Sequence, residues 1–224
     1  VLAISGSYSL TKVAKLDERY FGAIPENNQQ KNRIKPTVNP AVFKTLKKPI
    51  NQTHCILGNR AYSFHQEQKT GLLLLNNILG GTGMSSRLNL EIREKHGIAY
   101  TIESNYTPLS DTGLFSIYFG TDKEKVDKAS KLIDKELKKI REIPLGTIQL
   151  AQAKQRLIGQ IALGEENRLG VLISMAKSLL DYNKIDSLKE VFEKFNKLTS
   201  VQLMDIANDV MAPQNLSTLI FEQE

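Results

Sequence analysis

The sequence predicts an α+β fold, a mainly antiparallel sheet packed against several helices. Three observations point there. Strand-like runs crowd the first half of the 224 residues, and helix-like runs the second. Between them lies an antiparallel hairpin, two alternating runs at 98–106 and 113–119 joined by TPLSDTG, a stretch rich in turn formers. No regular strand–helix–strand alternation recurs, which argues against a doubly wound parallel sheet.

The elements follow in order. VLAISG at 1–6 reads as a buried strand. Residues 10–21 read as an amphipathic helix with Leu10, Val13, Leu16 and Tyr20 on one face, stopped by Gly22 and Pro25. Residues 26–40 are polar, contain two prolines, and form the best linker in the chain. Strands are expected at 41–47 and 51–58, and a helix at 66–79 with a solid Leu72–Leu75 run that ends at Gly80–Gly81. A shorter helix is expected over 85–95, before the hairpin. Thr121 and Glu124 have capping-box spacing and open a charged helix to about 141, which Pro144 breaks. Helices at 147–163, 168–181 and 186–196 follow. Thr199 and Gln202 have capping-box spacing too and open a last helix to about 211, and LSTLIF at 216–221 closes the fold as a strand.

Composition is that of an ordinary globular protein, 41% hydrophobic and 24% charged. The net charge of +6 would suit an acidic partner. The charges alternate in sign, however, as in Asp122-Lys123-Glu124-Lys125, and so read as solvated helix faces. No basic patch is interleaved with aromatics, so nucleic acid is not an expected partner. The single cysteine, Cys55, sits in an apolar run, cannot form an intramolecular disulfide, and is expected to be a buried thiol. No apolar run approaches the ~20 residues of a membrane span. The chain starts inside a strand-like segment without a methionine, as a piece of a longer protein would.

The usual hydrolytic motifs are missing. None of His54, His65 and His96 has a second histidine one helical turn away, so neither H-E-x-x-H nor H-x-x-E-H occurs, and no metal site is expected in this chain. There is no G-x-S-x-G, and His54 and Cys55, adjacent in a strand, point to opposite faces. The glycine run Gly80-Gly81-Thr82-Gly83-Met84-Ser85-Ser86 lacks the lysine of a phosphate-binding loop and follows a helix where a dinucleotide loop follows a strand. It reads as a helix–loop–helix turn, with Gly80 or Gly81 left-handed at the end of one helix and Ser85 or Ser86 capping the next.

Arg93 and Tyr100 remain. A helix that stops at Gly97 and reverses into a strand can bring both side chains to one point, where five guanidinium donors and one phenol could grip a peptide carbonyl or steady an oxyanion. Against this, Arg93 can pair with Glu91, Glu94 or Glu103 while Tyr100 serves as a half-buried strand aromatic; spacing alone favours that second view.

The run Met84-Ser85-Ser86-Arg87-Leu88 and then Ile92-Arg93-Glu94-Lys95-His96-Gly97-Ile98-Ala99-Tyr100 resembles the insulinase (pitrilysin, processing-peptidase-like) family of zinc metallopeptidases, specifically its C-terminal, metal-free half. Flanking segments match as well. VLAISGSYSLTKVAKLDERYFGAIP resembles the strand–helix unit closing the family's N-terminal half, and NQTHCILGNRAYS the first strands of the C-terminal half.

The resemblance implies one metallohydrolase-like half of a clamshell peptidase. On that view 1–25 closes the preceding half, 26–40 is the linker and 41–224 is the substrate-binding domain. Zinc and its activating glutamate would lie in a zinc-bearing N-terminal half or partner subunit, since in some bacteria the two halves are separate chains. Arg93 and Tyr100 match the family's substrate-binding pair, and Gly81 and Gly83 fall on a loop that faces the peptide substrate. The implied function is the non-catalytic, substrate-binding half of a zinc endopeptidase, inactive alone; the alternative is a scaffold or assembly subunit of the same fold. The compartment is left open, with the cytoplasm favoured over the periplasm.

Overall fold

A computed structural model describes residues 1–25, 36–37, 39–81 and 83–224, so most of the expected linker at 26–40 lies outside the described residues. The chain divides into two compact units, Val1–Lys35 with Ala162–Asp186, and Pro36–Ile161 with Ser187–Glu224.

The first unit carries helix α1, Leu10–Phe21, where Ser9 caps the first turn by accepting from the Lys12 amide. It also carries α5, Arg168–Tyr182, capped by Asn167 and ended by Asn183 in the left-handed region at φ 52°. The segment expected as a buried strand, 1–6, is not one. It forms no strand and leaves Val1, Leu2 and Ile4 exposed, because no strand among this unit's described residues lies beside it to take up its backbone donors and acceptors. Nor does either helix bury a residue, and Leu10, Tyr20 and Phe21 on α1 are exposed.

The second unit holds a five-stranded sheet in the order β1-β5-β2-β4-β3, formed by β1 (Phe43–Lys48), β2 (Thr53–Ala61), β3 (Ala99–Pro108), β4 (Gly113–Thr121) and β5 (Ser217–Gln223). Three pairings are antiparallel. The fourth, β1 with β5, is parallel, with Phe43 opposite Thr218. The sheet is therefore mainly antiparallel. Alternation sets its inner face: Thr53, Cys55 and Leu57 on β2, and Phe115, Ile117 and Phe119 on β4, are buried.

Helices cover that inner face. These are α2 (Lys69–Gly80), α3 (Val126–Glu142), the first part of α4 (Thr147–Gly164), α6 (Leu188–Asn196) and α7 (Ser200–Val210). Leu72, Leu75 and Leu79 of α2, Ile133 and Leu137 of α3, and Leu203 of α7 meet the strand aromatics in one core. Each buried side chain of this size is worth about 1.5–3 kcal/mol against exposure. Cys55 lies in that core as a free thiol pushed up to about 12, chiefly by burial.

Capping is partly as expected. Thr199 and Gln202 form a capping box at α7, and Ser187 and Glu190 form another at α6. Thr121 and Glu124 do not. Thr121 is the last residue of β4, its buried hydroxyl donates to the Ile98 carbonyl at 2.6 Å, and a 3-10 turn at Lys123–Lys125 leads into α3.

The end of α2 also differs from expectation. Gly81 has φ −62°, so neither it nor Gly80 is left-handed. Gly80 serves packing: a Cβ there would lie 2.5 Å from the Ser104 amide nitrogen of β3. Gly80→Ala is therefore expected to destabilise the protein by about 1–3 kcal/mol, because backbone must move. Gly159→Ala on the exposed side of α4, where a Cβ meets nothing within 4 Å, is expected to gain about 0.5–1 kcal/mol. Paired urea unfolding of the two variants checks this; equal effects would show that α2 does not bear on β3 this closely.

Candidate functional site

A cleft of about 620 Å³ opens within the second unit, between α2, the loop after it, β3, α4 and α6. Arg93, Tyr100, Gly81 and Gly83 all line it. How the two polar side chains reach it follows from two backbone irregularities.

The first carries Arg93. The expected helix at 85–95 is, over Asn89–Glu94, a π-helix. The Lys95 amide donates to the Leu90 carbonyl at 3.0 Å, five residues back. Asn89 steadies the turn by donating to Ser86 Oγ at 2.9 Å, and Ser86, expected as a cap, is buried in that role. Gly97 ends the turn at φ +59°, the left-handed conformation that glycine adopts at least cost.

The second carries Tyr100. Ala99 pairs with Thr121 and Thr101 with Gly120, so Tyr100 is an extra residue in β3, a β-bulge. The bulge turns Tyr100 outward, 57% exposed, on the edge strand of the sheet. It is not a half-buried strand aromatic.

Neighbouring charges leave Arg93 accessible. Of its candidate partners, Glu91 is taken by Lys95 at 3.0 Å and by His96 at 3.6 Å. The Lys95 hydrogen bond, helped by Lys139 and His96, holds the Glu91 carboxyl below its usual range. Among the described residues Arg93 makes only a 4.0 Å approach to Glu94, with its side chain about half exposed, so its donors are largely unspent there.

Tyr100 is engaged. Its phenol donates to Asp122 Oδ1 at 2.8 Å, and Lys125 donates to Oδ2 at 2.7 Å. Lys125 first and Tyr100 second hold Asp122 below the usual carboxylate range, and the Asp122 hydrogen bond raises the phenol.

A family model described as "Peptidase M16 inactive domain" matches residues 1–157. The chain belongs to the peptidase M16 family, as its inactive domain. An "uncharacterized zinc protease" of Bacillus subtilis is 26% identical over 220 residues, covering 98% of this chain and 53% of the relative. One from Streptomyces coelicolor is 32% identical over 160 residues, 71% of this chain and 35% of that protein. Among solved structures, a protease from Helicobacter pylori superposes with a TM-score of 0.85 at 21% identity, over 97% of this chain and 53% of that one. A peptidase M16 inactive domain from Pseudomonas fluorescens gives 0.83 at 22%, over 98% and 52%. The chain thus spans about half the length of the Bacillus subtilis relative and of both solved structures, and about a third of the Streptomyces coelicolor one.

These matches point to the inactive, C-terminal-type M16 domain of a zinc protease-like protein, a half that in the family has a partner half. Among the described residues no group of three or more His, Cys, Asp or Glu side chains could hold a metal ion. His54 is occupied by the Tyr118 hydroxyl at 2.7 Å, on the open face of the sheet and not in the core. His65 is exposed against Phe64, and His96 leans on Glu91. No helix among the described residues is long and apolar enough to cross a membrane.

Reading the sequence missed Asp122 and Lys125, which sit in a run taken as a solvated face. It also missed Thr121, whose bond to Ile98 ties the end of β4 to the turn between Arg93 and Tyr100. The signal for both lay in the hairpin register, which sets 99 opposite 121. Thr121→Val keeps the shape, deletes that buried bond, and is expected to cost about 1–3 kcal/mol in urea unfolding. A change under ~0.5 kcal/mol would mean that the contact does not secure the turn.

Proposed function

We propose that the M16 half is the substrate-binding, non-catalytic half of a zinc-dependent endopeptidase, supplying Arg93 and Tyr100 to an active site whose metal is held by the other half. One observation carries this reading: the matched arginine and tyrosine, with Gly81 and Gly83, line a single cleft, each polar side chain presented by an irregular piece of backbone. An extended peptide has a carbonyl for the Arg93 fork, whose planar donors suit a polarised oxygen. The glycine loop lets a peptide backbone come close, since Gly81 and Gly83 have no side chain to bar it. Zinc in the other half would supply the Lewis acid and the activated water.

A second reading has some support. The fold is also similar to a chain of Complex III2 from Candida albicans, with a TM-score of 0.79 at 17% identity. On that reading the M16 half is a scaffold or assembly subunit. An exposed Arg93, which among the described residues comes no nearer than 4.0 Å to a carboxylate, favours the substrate-binding role, because a scaffold gains nothing from unspent donors in an open cleft.

In the intact zinc-bearing protein, Arg93→Ala and Tyr100→Phe are each expected to keep the bound zinc and to lower kcat/KM for peptide cleavage by roughly tenfold or more, about 1.4 kcal/mol of lost transition-state binding. Zinc content by atomic absorption separates this from loss of metal. Unchanged kcat/KM in both variants overturns the assignment, and an intact protein that cleaves no peptide favours the scaffold.

A further inference from the structure

The cleft has two unlike walls. The strand side carries its charged lining groups, Arg93 on the π-turn and Glu103 on β3. On the helix side α4 and α6 contribute only Leu157, Ile161 and Phe195, and α2 adds Leu73. Leu73 is the odd residue of its run. Leu72, Leu74 and Leu75 are buried in the core, whereas Leu73 is 37% exposed on the face of α2 that lines the cleft. Phe195 is 5% exposed and packs within the core, so its ring is held in place and shows the cleft one edge. Leu157 and Ile161 lie one turn apart on α4, share a face, and pack on the core with part of their surface left open.

A polar bridge holds these helices at a set spacing. Asn77, one turn after Leu73, donates from Nδ2 to Oε1 of Gln160, the residue before Ile161, at 2.7 Å. The glycine loop meets the same amide, since a Cβ on Gly83 would lie 3.8 Å from Gln160 Nε2. Leu73 lies one turn behind that bridge on α2, on the side away from the loop. From Leu73 to Gly80 is seven residues, about 10 Å of helix. That is the span of about three residues of extended peptide.

We propose that Leu73, Leu157, Ile161 and Phe195 form a side-chain pocket that selects peptides with a large aliphatic or aromatic residue at one position, about three residues from the stretch that passes the glycine loop. The proposal rests on the peptide-binding reading of the cleft. Successive side chains of an extended peptide point to opposite sides, so a chain held along the strand wall sends alternate side chains toward the helix wall. An apolar side chain seated there takes the open surface of Leu73 out of water. A carboxylate or ammonium in the same place loses hydration and meets only Leu157, Ile161 and Phe195 on α4 and α6.

The test uses the intact zinc-bearing protein and peptides from a tryptic digest of denatured casein. Cleavage sites are mapped by mass spectrometry at low conversion and aligned on the scissile bond. At one aligned position the native protein is expected to favour Leu, Ile or Phe over Asp or Glu by roughly tenfold, the discrimination an apolar pocket supplies. Leu73 is partly exposed, so substitutions there are expected to leave the fold intact, which urea unfolding checks. Leu73→Met is expected to keep the preference. In Leu73→Asp it is expected to fall below about twofold, with Lys or Arg gaining at that position, and in Leu73→Lys Asp or Glu gain. A charge swap of this kind separates a pocket residue from a merely structural one. It also separates this pocket from any side-chain preference set by the other half, which does not respond to residue 73. Identical profiles in the native protein, Leu73→Asp and Leu73→Lys overturn the proposal. If Arg93→Ala still lowers cleavage tenfold in that case, the cleft remains the peptide site and only the pocket falls. If the intact protein cleaves none of the peptides, the peptide-binding reading falls and the pocket with it.

Discussion

The cleft depends on one extra residue in β3. Ala99 and Ile102 are both buried on the inner face, yet they stand three apart, and a regular strand would send them to opposite faces. The sheet admits both because Tyr100 is inserted between the pairs Ala99–Thr121 and Thr101–Gly120. The consequence is that Tyr100 and Thr101 both face outward. A few residues earlier the helix contains the same kind of insertion. The π-turn of Asn89–Glu94 lengthens the hydrogen-bonded loop and rotates Arg93 relative to the α-helix that its sequence suggests. Gly97, at positive φ, joins the two irregular pieces. The spacing of Arg93 and Tyr100 in space is thus a property of two insertions and one glycine, and no regular element would reproduce it.

Irregular backbone needs anchors, and each insertion has its own. Thr121 ties β4 to Ile98, and Asn89 ties the π-turn to Ser86. Ser104 donates to the Asn76 carbonyl, while Gly80 lets α2 come close enough to β3 for that bond to form. Charges divide in the same way. Lys95 and His96 occupy Glu91, and Lys125 with Tyr100 occupies Asp122, which leaves Arg93, among the described residues, with only its 4.0 Å approach to Glu94. That division matters more than the stability of any one pair, since exposed ion pairs are worth little in water.

Much of this was legible in the sequence, for identifiable reasons. The hairpin is written in alternation and turn residues, α2 in the Leu72–Leu75 run, and α7 in the Thr199–Gln202 box, all signals contained within a short stretch. The pair Arg93 and Tyr100 was found by likeness to a family, because spacing alone pointed to a surface ion pair and a packed aromatic. What was lost depended on partners distant in sequence. Asp122 and Lys125 looked like one more solvated charge run, since nothing local says that Tyr100, twenty-two residues earlier, lies across the hairpin end. Thr121 had the spacing of a cap, but Ile98 had first claim on its hydroxyl. The segment 1–6 has a strand's composition, yet a strand needs a neighbour, and no strand pairs with it among the described residues.

The case for substrate binding over scaffolding turns on where the irregularities fall. A subunit kept only for its shape gains from regular strands and helices, which satisfy their backbone groups at least cost. Here a bulge and a π-turn fall within a dozen residues, and the polar side chains they present, Arg93 and Tyr100, contribute little to the core. Both insertions are anchored by buried hydroxyls, at Ser86 and Thr121, which serve no other partner described in the fold. Backbone departures of this kind gather where a side chain must be aimed. Arg93 and Tyr100 line the same cleft as Gly81 and Gly83.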